Sequence, residues 1–161
     1  MAFKNRRVVI SGLGAITPIG VSLDEIENSL KESKSGVKAI TLFDASVLPV
    51  HFAGEASGFI PENFLDGKEI RRNDRFIQMC LAATELAIKD SGLGPEPLKS
   101  AGVAIGVGLG GLYTIEEASL VLQKSGAKRV SPFLIPSILA NLASGQVSIR
   151  YGIKGPNFAI S

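Results

Sequence analysis

At 161 residues the chain has the length of one ordinary domain, 45% hydrophobic and 20% charged, with a formal net charge of +2. A single cysteine excludes an internal disulfide framework, and the small net charge gives no argument for nucleic acid. The basic N-terminus is not followed by a secretory apolar stretch, and runs such as Phe133 to Ile135 are far too short to span a bilayer, so a cytoplasmic protein without a membrane span is expected.

Arg7 to Ser11, with Val8, Val9 and Ile10 in succession, predicts a strand buried on both faces, the pattern of parallel sheets covered by helices. It leaves through Gly12-Leu13-Gly14, where a plain turn is expected because Thr17 stands in place of the third glycine of a dinucleotide fingerprint. Ser22 and Glu25 have capping-box spacing for a helix carrying Leu23, Ile26 and Leu30 on one stripe. From Ser33 to Lys68 the periodicity is weak, which predicts a long excursion with a short strand near His51 to Glu55. Glu69 to Ser91 is expected to form one helix with Phe76, Met79, Cys80, Ala83, Leu86 and Ala87 inward, stopped by Gly92.

Ala101 to Val107 predicts a second buried strand, followed by Gly108-Leu109-Gly110-Gly111 and a helix from Tyr113 to Lys124. After Ser131 to Pro136 a helix is expected from Ser137 to about Tyr151, and Phe158 to Ser161 begins another strand. The alternation implies an α/β fold with a largely parallel sheet. All fifteen acidic residues lie at or before Glu117, whereas Lys124, Lys128, Arg129, Arg150 and Lys154 follow, leaving the last 44 residues without a carboxylate. So apolar and one-signed a segment suits a buried core or a subunit interface. The chain stops within an apolar strand pattern, which leads to the expectation of an incomplete domain.

Gly106-Val107-Gly108-Leu109-Gly110-Gly111 satisfies G-x-G-x-x-G between a strand and a helix, where a pyrophosphate could sit at a helix N-terminus. That fold also needs an acidic residue about twenty positions later to hold the ribose. None follows Glu117, so the glycines are better explained by a close backbone approach or a positive φ, as at a subunit contact. Cys80 is the only thiol and falls mid-helix on the apolar stripe, which favours packing over nucleophilic chemistry. His51 is the only histidine, so neither a His-Cys dyad nor a multi-histidine metal site can be assembled; a structural or surface role is expected. Lys68, Arg71, Arg72 and Arg75 crowd the expected start of the long helix, against its macrodipole, which hints at an acidic partner over the default of a solvated face.

Four segments in order span the chain: Val8-Val9-Ile10-Ser11-Gly12-Leu13-Gly14 with Thr17-Pro18-Ile19-Gly20; the Gly106 to Gly111 loop; Ser131-Pro132-Phe133-Leu134-Ile135-Pro136-Ser137; and Tyr151-Gly152-Ile153-Lys154-Gly155-Pro156-Asn157. Together they resemble the β-ketoacyl-acyl-carrier-protein synthases, closest to type II. The resemblance implies a thiolase-like layered α/β fold of two similar halves in a homodimer, with residues 1–161 an incomplete N-terminal half. It implies a decarboxylative Claisen condensation in fatty-acid elongation: an acyl group passes from acyl carrier protein to a cysteine, and malonyl-carrier protein loses carbon dioxide to give a carbanion that attacks the thioester. The family's cysteine lies in a Thr-Ala-Cys that follows the strand after Gly-Pro, beyond Ser161, and its two histidines and lysine lie further on. No catalytic residue is therefore assigned within this chain, no cofactor or metal is implied, and the chain alone is expected to be inactive.

Positions matching Leu109, Leu134 and Ile135 line the family's acyl pocket, partly from across the dimer interface, and positions matching Lys68, Arg71 and Arg72 belong to its carrier-protein docking surface. A polyketide ketosynthase or a chain-length factor remains open as an alternative, as does a non-catalytic dimerisation or carrier-binding fragment.

Overall fold

Residues 7–161 are described in the computed structural model of the chain, and their core forms where two strands far apart in sequence pair in parallel. β3 (Val103–Gly106) and β4 (Asn157–Ile160) run in register, with Ala104 opposite Phe158 and Ile105 opposite Ala159. Alternation along a strand sends neighbouring side chains to opposite faces. Val103, Ile105 and Ala159 therefore turn inward, while Phe158 and Ile160 stay 51% and 67% exposed on the other face.

Two helices cover the inner face. α3 (Arg75–Ser91) contributes Ile77 and Leu81, α7 (Asn141–Tyr151) contributes Ala143 and Val147, and these meet Val103, Val107 and Leu65 in one buried cluster. Fully burying a side chain such as Ile77 or Leu81 contributes about 1.5–3 kcal/mol, so this cluster dominates the local energetics. Strand, helices and strand follow in the expected order from β3 to β4, and the α/β reading holds, although the described strands form one parallel and one antiparallel pair in place of a single largely parallel sheet.

The expected boundaries shift where polar groups intervene. The helix expected from Glu69 to Ser91 is two helices, α2 (Gly67–Arg72) and α3, separated by an extended Asn73. Asp74 caps α3 by accepting from the Phe76 N–H at 3.1 Å, and Asn73 and Asp74 are both buried, so a polar corner replaces a straight rod. The deepest α3 positions are Ile77, Gln78, Leu81 and Ala82, whereas Phe76, Met79, Cys80, Ala83, Leu86 and Ala87 are half-buried; the expected stripe is rotated from the true inner face. Gly92 ends α3 in the left-handed conformation, as expected. The helix expected from Ser137 to Tyr151 likewise divides into α6 (Leu134–Ile138) and α7, because the Ile138 carbonyl turns away to accept from the Gly111 N–H at 3.2 Å.

Arg7 to Ser11 is not a strand. No strand of the described residues lies beside it, so Val8, Val9 and Ile10 remain exposed. Nor is Gly12-Leu13-Gly14 a plain turn, since it runs against α3: a Cβ on Gly14 would sit 2.1 Å from the Ala83 carbonyl oxygen, and one on Gly12 2.4 Å from that of Ala87. α1 (Leu23–Lys31) is capped by Ser22, but the Glu25 carboxylate accepts from the Val21 N–H, one residue short of a true capping box, and Leu23 and Leu30 are exposed. In the long excursion the expected strand appears as β2 (Phe52–Gly54), paired antiparallel with β1 (Val37–Ala39), which the weak periodicity did not signal. α4 (Pro95–Lys99) and α5 (Leu112–Ser125) flank β3.

Asn157 fastens β4 to α7. Its Oδ1 accepts from Ser144 Oγ at 2.8 Å, and its Nδ2 donates to the Ser144 carbonyl at 2.8 Å and to Ser148 Oγ at 2.6 Å. Asn157→Leu keeps the volume but removes these three bonds, while Ser144 Oγ retains the Asn141 carbonyl as acceptor at 3.0 Å, for an expected loss of about 0.5–1.5 kcal/mol. A urea midpoint unchanged from wild type would show that this clamp is not structural.

Candidate functional site

Apolar side chains gather beside the glycine loop that follows β3. Phe76, Cys80, Ile105, Leu109 and Ala143 line an open cavity of about 270 Å³ together with the loop backbone from Gly106 to Gly110. Leu109 is 81% exposed at its rim. The loop holds its course by contact with the end of α6: Gly110 adopts φ +77°, and a Cβ there would meet the Ile138 carbonyl oxygen at 2.7 Å. Gly111 lies equally close, 2.8 Å from the Ile138 Cα by the same measure. Positive φ and close backbone approach therefore account for Gly110, and close approach for Gly111, whereas Gly106 and Gly108 face open space.

Leu134 and Ile135 stand at the opposite end of α6 from that contact. Leu134 is half-buried and Ile135 exposed, and neither lines the cavity beside Leu109. The three positions of the expected pocket are thus linked through a short helix, with Leu109 on this cavity and Leu134 and Ile135 off it.

The basic residues lie differently from the sequence expectation. Asp66 caps α2 by accepting from the N–H groups of Lys68 and Glu69 at 2.8 and 2.7 Å, while Glu69 Oε2 accepts from the Asp66 N–H at 3.0 Å, a complete capping box. The backbone donors of Glu69 and Lys68 hold the Asp66 carboxyl below its usual range. Arg71 and Arg72 occupy the last turn of α2, where cations complement the macrodipole and do not oppose it. For these two arginines the expected conflict came from reading α2 and α3 as one helix; Lys68 in the first turn of α2 and Arg75 at the start of α3 retain it. Lys68, Arg71 and Arg72 are all exposed. Arg75 departs from them, donating to the Ala56 carbonyl at 2.9 Å and lying 5.1 Å above the Phe59 ring. Glu69, the acid within the cluster, points to Arg150 at 3.7 Å.

Nothing in this arrangement activates the thiol. Burial pushes Cys80 above its usual range, and only the Thr84 hydroxyl opposes that effect. His51 is exposed and no group of three or more potential metal ligands exists among the described residues. Sequence reasoning missed Asp74, which also accepts from the Thr114 N–H at 3.3 Å and from its hydroxyl, fixing the start of α5 to that of α3. An aspartate just before an apolar helical run was the available signal. No helix of the described residues is long and apolar enough to cross a membrane.

The site thus combines a glycine loop locked on a neighbouring helix end, an apolar rim and a separate basic helix. The family described as Beta-ketoacyl synthase, N-terminal domain, matches residues 5–161. The chain belongs to the β-ketoacyl synthase family. It is 45% identical over 159 residues to the 3-oxoacyl-[acyl-carrier-protein] synthase 2 of Coxiella burnetii, covering 98% of this chain and 38% of that protein. Among solved structures, the ishigamide ketosynthase/chain length factor aligns with a TM-score of 0.83 at 25% identity, covering 97% of this chain and 40% of that one. A type II polyketide acyl-carrier protein in complex with its ketosynthase bound to the hexaketide aligns at 0.72 and 26% identity, covering 92% and 40%. The β-ketoacyl synthase chain thus spans well under half the length of these relatives, and its fold is that of the N-terminal part of the ketosynthases.

Because burial disfavours the thiolate, Cys80 is expected to react with a neutral alkylating reagent more slowly than free cysteine at pH 8, with the rate rising as pH increases and recovering fully in denaturant. A native-state rate equal to or above that of free cysteine would mean that the thiol is activated and its packing role wrong.

Proposed function

We propose that the chain is the N-terminal part of a 3-oxoacyl-acyl-carrier-protein synthase of the second type, which condenses an acyl-enzyme with malonyl-acyl carrier protein in fatty-acid elongation. The observation that carries this reading is the near-complete coverage of the chain by curated relatives of that name at 40–45% identity. The aligned polyketide ketosynthases support the same fold at about a quarter identity, which makes a polyketide enzyme the second reading.

In the proposed enzyme these residues bind and position, and they do not perform the bond chemistry. Cys80 is not the nucleophile; the resemblance places that cysteine after the strand matching β4, so the chain alone is proposed to be inactive. Leu109, Leu134 and Ile135 would line the acyl pocket, where each buried methylene contributes about 0.8 kcal/mol. Ile160 and Phe158 on the uncovered sheet face, and α5, none of whose residues is buried, would be covered by the second half of the fold and by a partner subunit. Lys68, Arg71 and Arg72 would dock acyl carrier protein through its acidic surface.

Two measurements on the full-length protein test this. Reversing Lys68, Arg71 and Arg72 to Glu is expected to weaken carrier-protein binding roughly tenfold or more at low salt, each exposed contact contributing about 0.5 kcal/mol, with the difference shrinking as salt rises. An unchanged dissociation constant removes the docking assignment. Leu109→Phe adds bulk to an apolar passage, for which overpacking costs about 1–3 kcal/mol, so turnover of long acyl donors is expected to fall roughly ten- to hundred-fold while short donors are spared. Equal losses for short and long donors would mean that Leu109 supports the fold and does not measure the chain.

A further inference from the structure

Arg72 differs from its two basic neighbours in having a seat. Its guanidinium carbon lies 4.4 Å from the centroid of the Phe133 ring, across a cleft of about 370 Å³ lined also by Lys68, Glu69, Asn73, Pro136 and Gln146. Arg72 forms no ion pair among the described residues, so the aromatic face is the contact that orients it. The backbone of Phe133 is itself fixed. Its N–H donates to Ser131 Oγ at 3.1 Å, and its carbonyl accepts from the Ser137 N–H at 3.0 Å in the first turn of α6.

A cation held over an aromatic ring is attracted by the ring's negative face and consumes no conventional acceptor, so the guanidinium N–H groups remain available to bond outward. A carboxylate can therefore be taken while the arginine stays over the ring. Restricting a long side chain before binding reduces the ordering penalty on association. Lys68 and Arg71 make no comparable aromatic contact among the described residues.

We infer that Phe133 is a positioning residue for carrier-protein docking: it holds Arg72 in a pre-oriented state that presents its donors to one carboxylate of the partner. The inference rests on the docking reading above and extends it to a residue outside the basic helix. Phe133 directly precedes Leu134 and Ile135, and the far end of the same helix, at Ile138, supports the glycine loop that carries Leu109. The seat thus lies on the element that joins the docking surface to the proposed acyl pocket.

The test compares dissociation constants of acyl carrier protein for the full-length protein and its variants, with circular dichroism to confirm folding. An exposed cation–π contact corresponds to about a two- to five-fold change, so Phe133→Leu, which keeps apolar bulk but removes the aromatic face, is expected to weaken binding by that factor. Phe133→Tyr restores the face and is expected to restore affinity. In a double-mutant cycle, Arg72→Met with Phe133→Leu is expected to bind no more weakly than Arg72→Met alone. Wild-type affinity for Phe133→Leu, or additive losses in the cycle, would overturn the inference. If the triple charge reversal weakens binding while Phe133→Leu does not, the seat alone fails; if neither weakens it, the docking reading fails as well.

Discussion

Parallel pairing of β3 with β4 is the constraint from which the rest of the architecture follows. Parallel strands carry no turn between them and occur with both faces covered, so the chain must travel out, form helices and return before the ladder can close. Here the return path is α5, α6 and α7, and the clamp that ends it is Asn157 on Ser144 and Ser148. Only one face receives its cover, from α3 and α7. The other presents Phe158 and Ile160, aligned opposite Ala104 and Gly106 in the register, a surface whose composition belongs to an interior.

That crossover also fixes the glycine loop. α6 is too short to be stable by itself, and its last carbonyl finds a donor in Gly111 where a continuous helix would have used Leu142. Two backbones can approach this closely only because neither Gly110 nor Gly111 carries a Cβ. The same contact that satisfies the helix end therefore sets the height of Leu109 above the cavity and separates α6 from α7. Packing thus accounts for the last two glycines of the dinucleotide-like pattern, Gly110 and Gly111.

The sequence was most legible where a local rule acted alone. Gly92 as a stop, Ser22 as a cap, the strand at β3 and the packed character of Cys80 each follow from one residue or one short pattern. Reading failed where a distant partner decided the outcome. Val8 to Ile10 have the composition of a buried strand, but a strand exists only with a ladder partner beside it. The break at Asn73 depends on buried hydrogen bonds from Gln78 to the Ile70 and Asn73 carbonyls, which helical periodicity cannot express. Of the candidate site, the basic cluster was legible from its charge, whereas its proposed docking role and the proposed acyl-pocket positions came only through the ordered family motifs; the placement of Arg72 over Phe133, sixty-one positions apart, left no local trace.

Charge distribution supplies a last link between sequence and packing. The carboxylate-free end of the chain has to place its cations somewhere, and α7 brings Arg150 inward, where one nitrogen donates to Glu85 at 2.6 Å and to the Phe64 carbonyl at 2.7 Å. Its other terminal nitrogen approaches Glu69, the one acid embedded in the basic α2. The carboxylates withheld from the end of the chain are thus provided by its middle, across the interface between α7 and the helices α2 and α3. With Glu69 turned toward Arg150, the side chains of Lys68, Arg71 and Arg72 face outward, and Asp66 at the start of the helix is the acid near Lys68 and Arg71. A segment that looked merely one-signed in the sequence therefore completes the core and leaves the outer face of α2 positive.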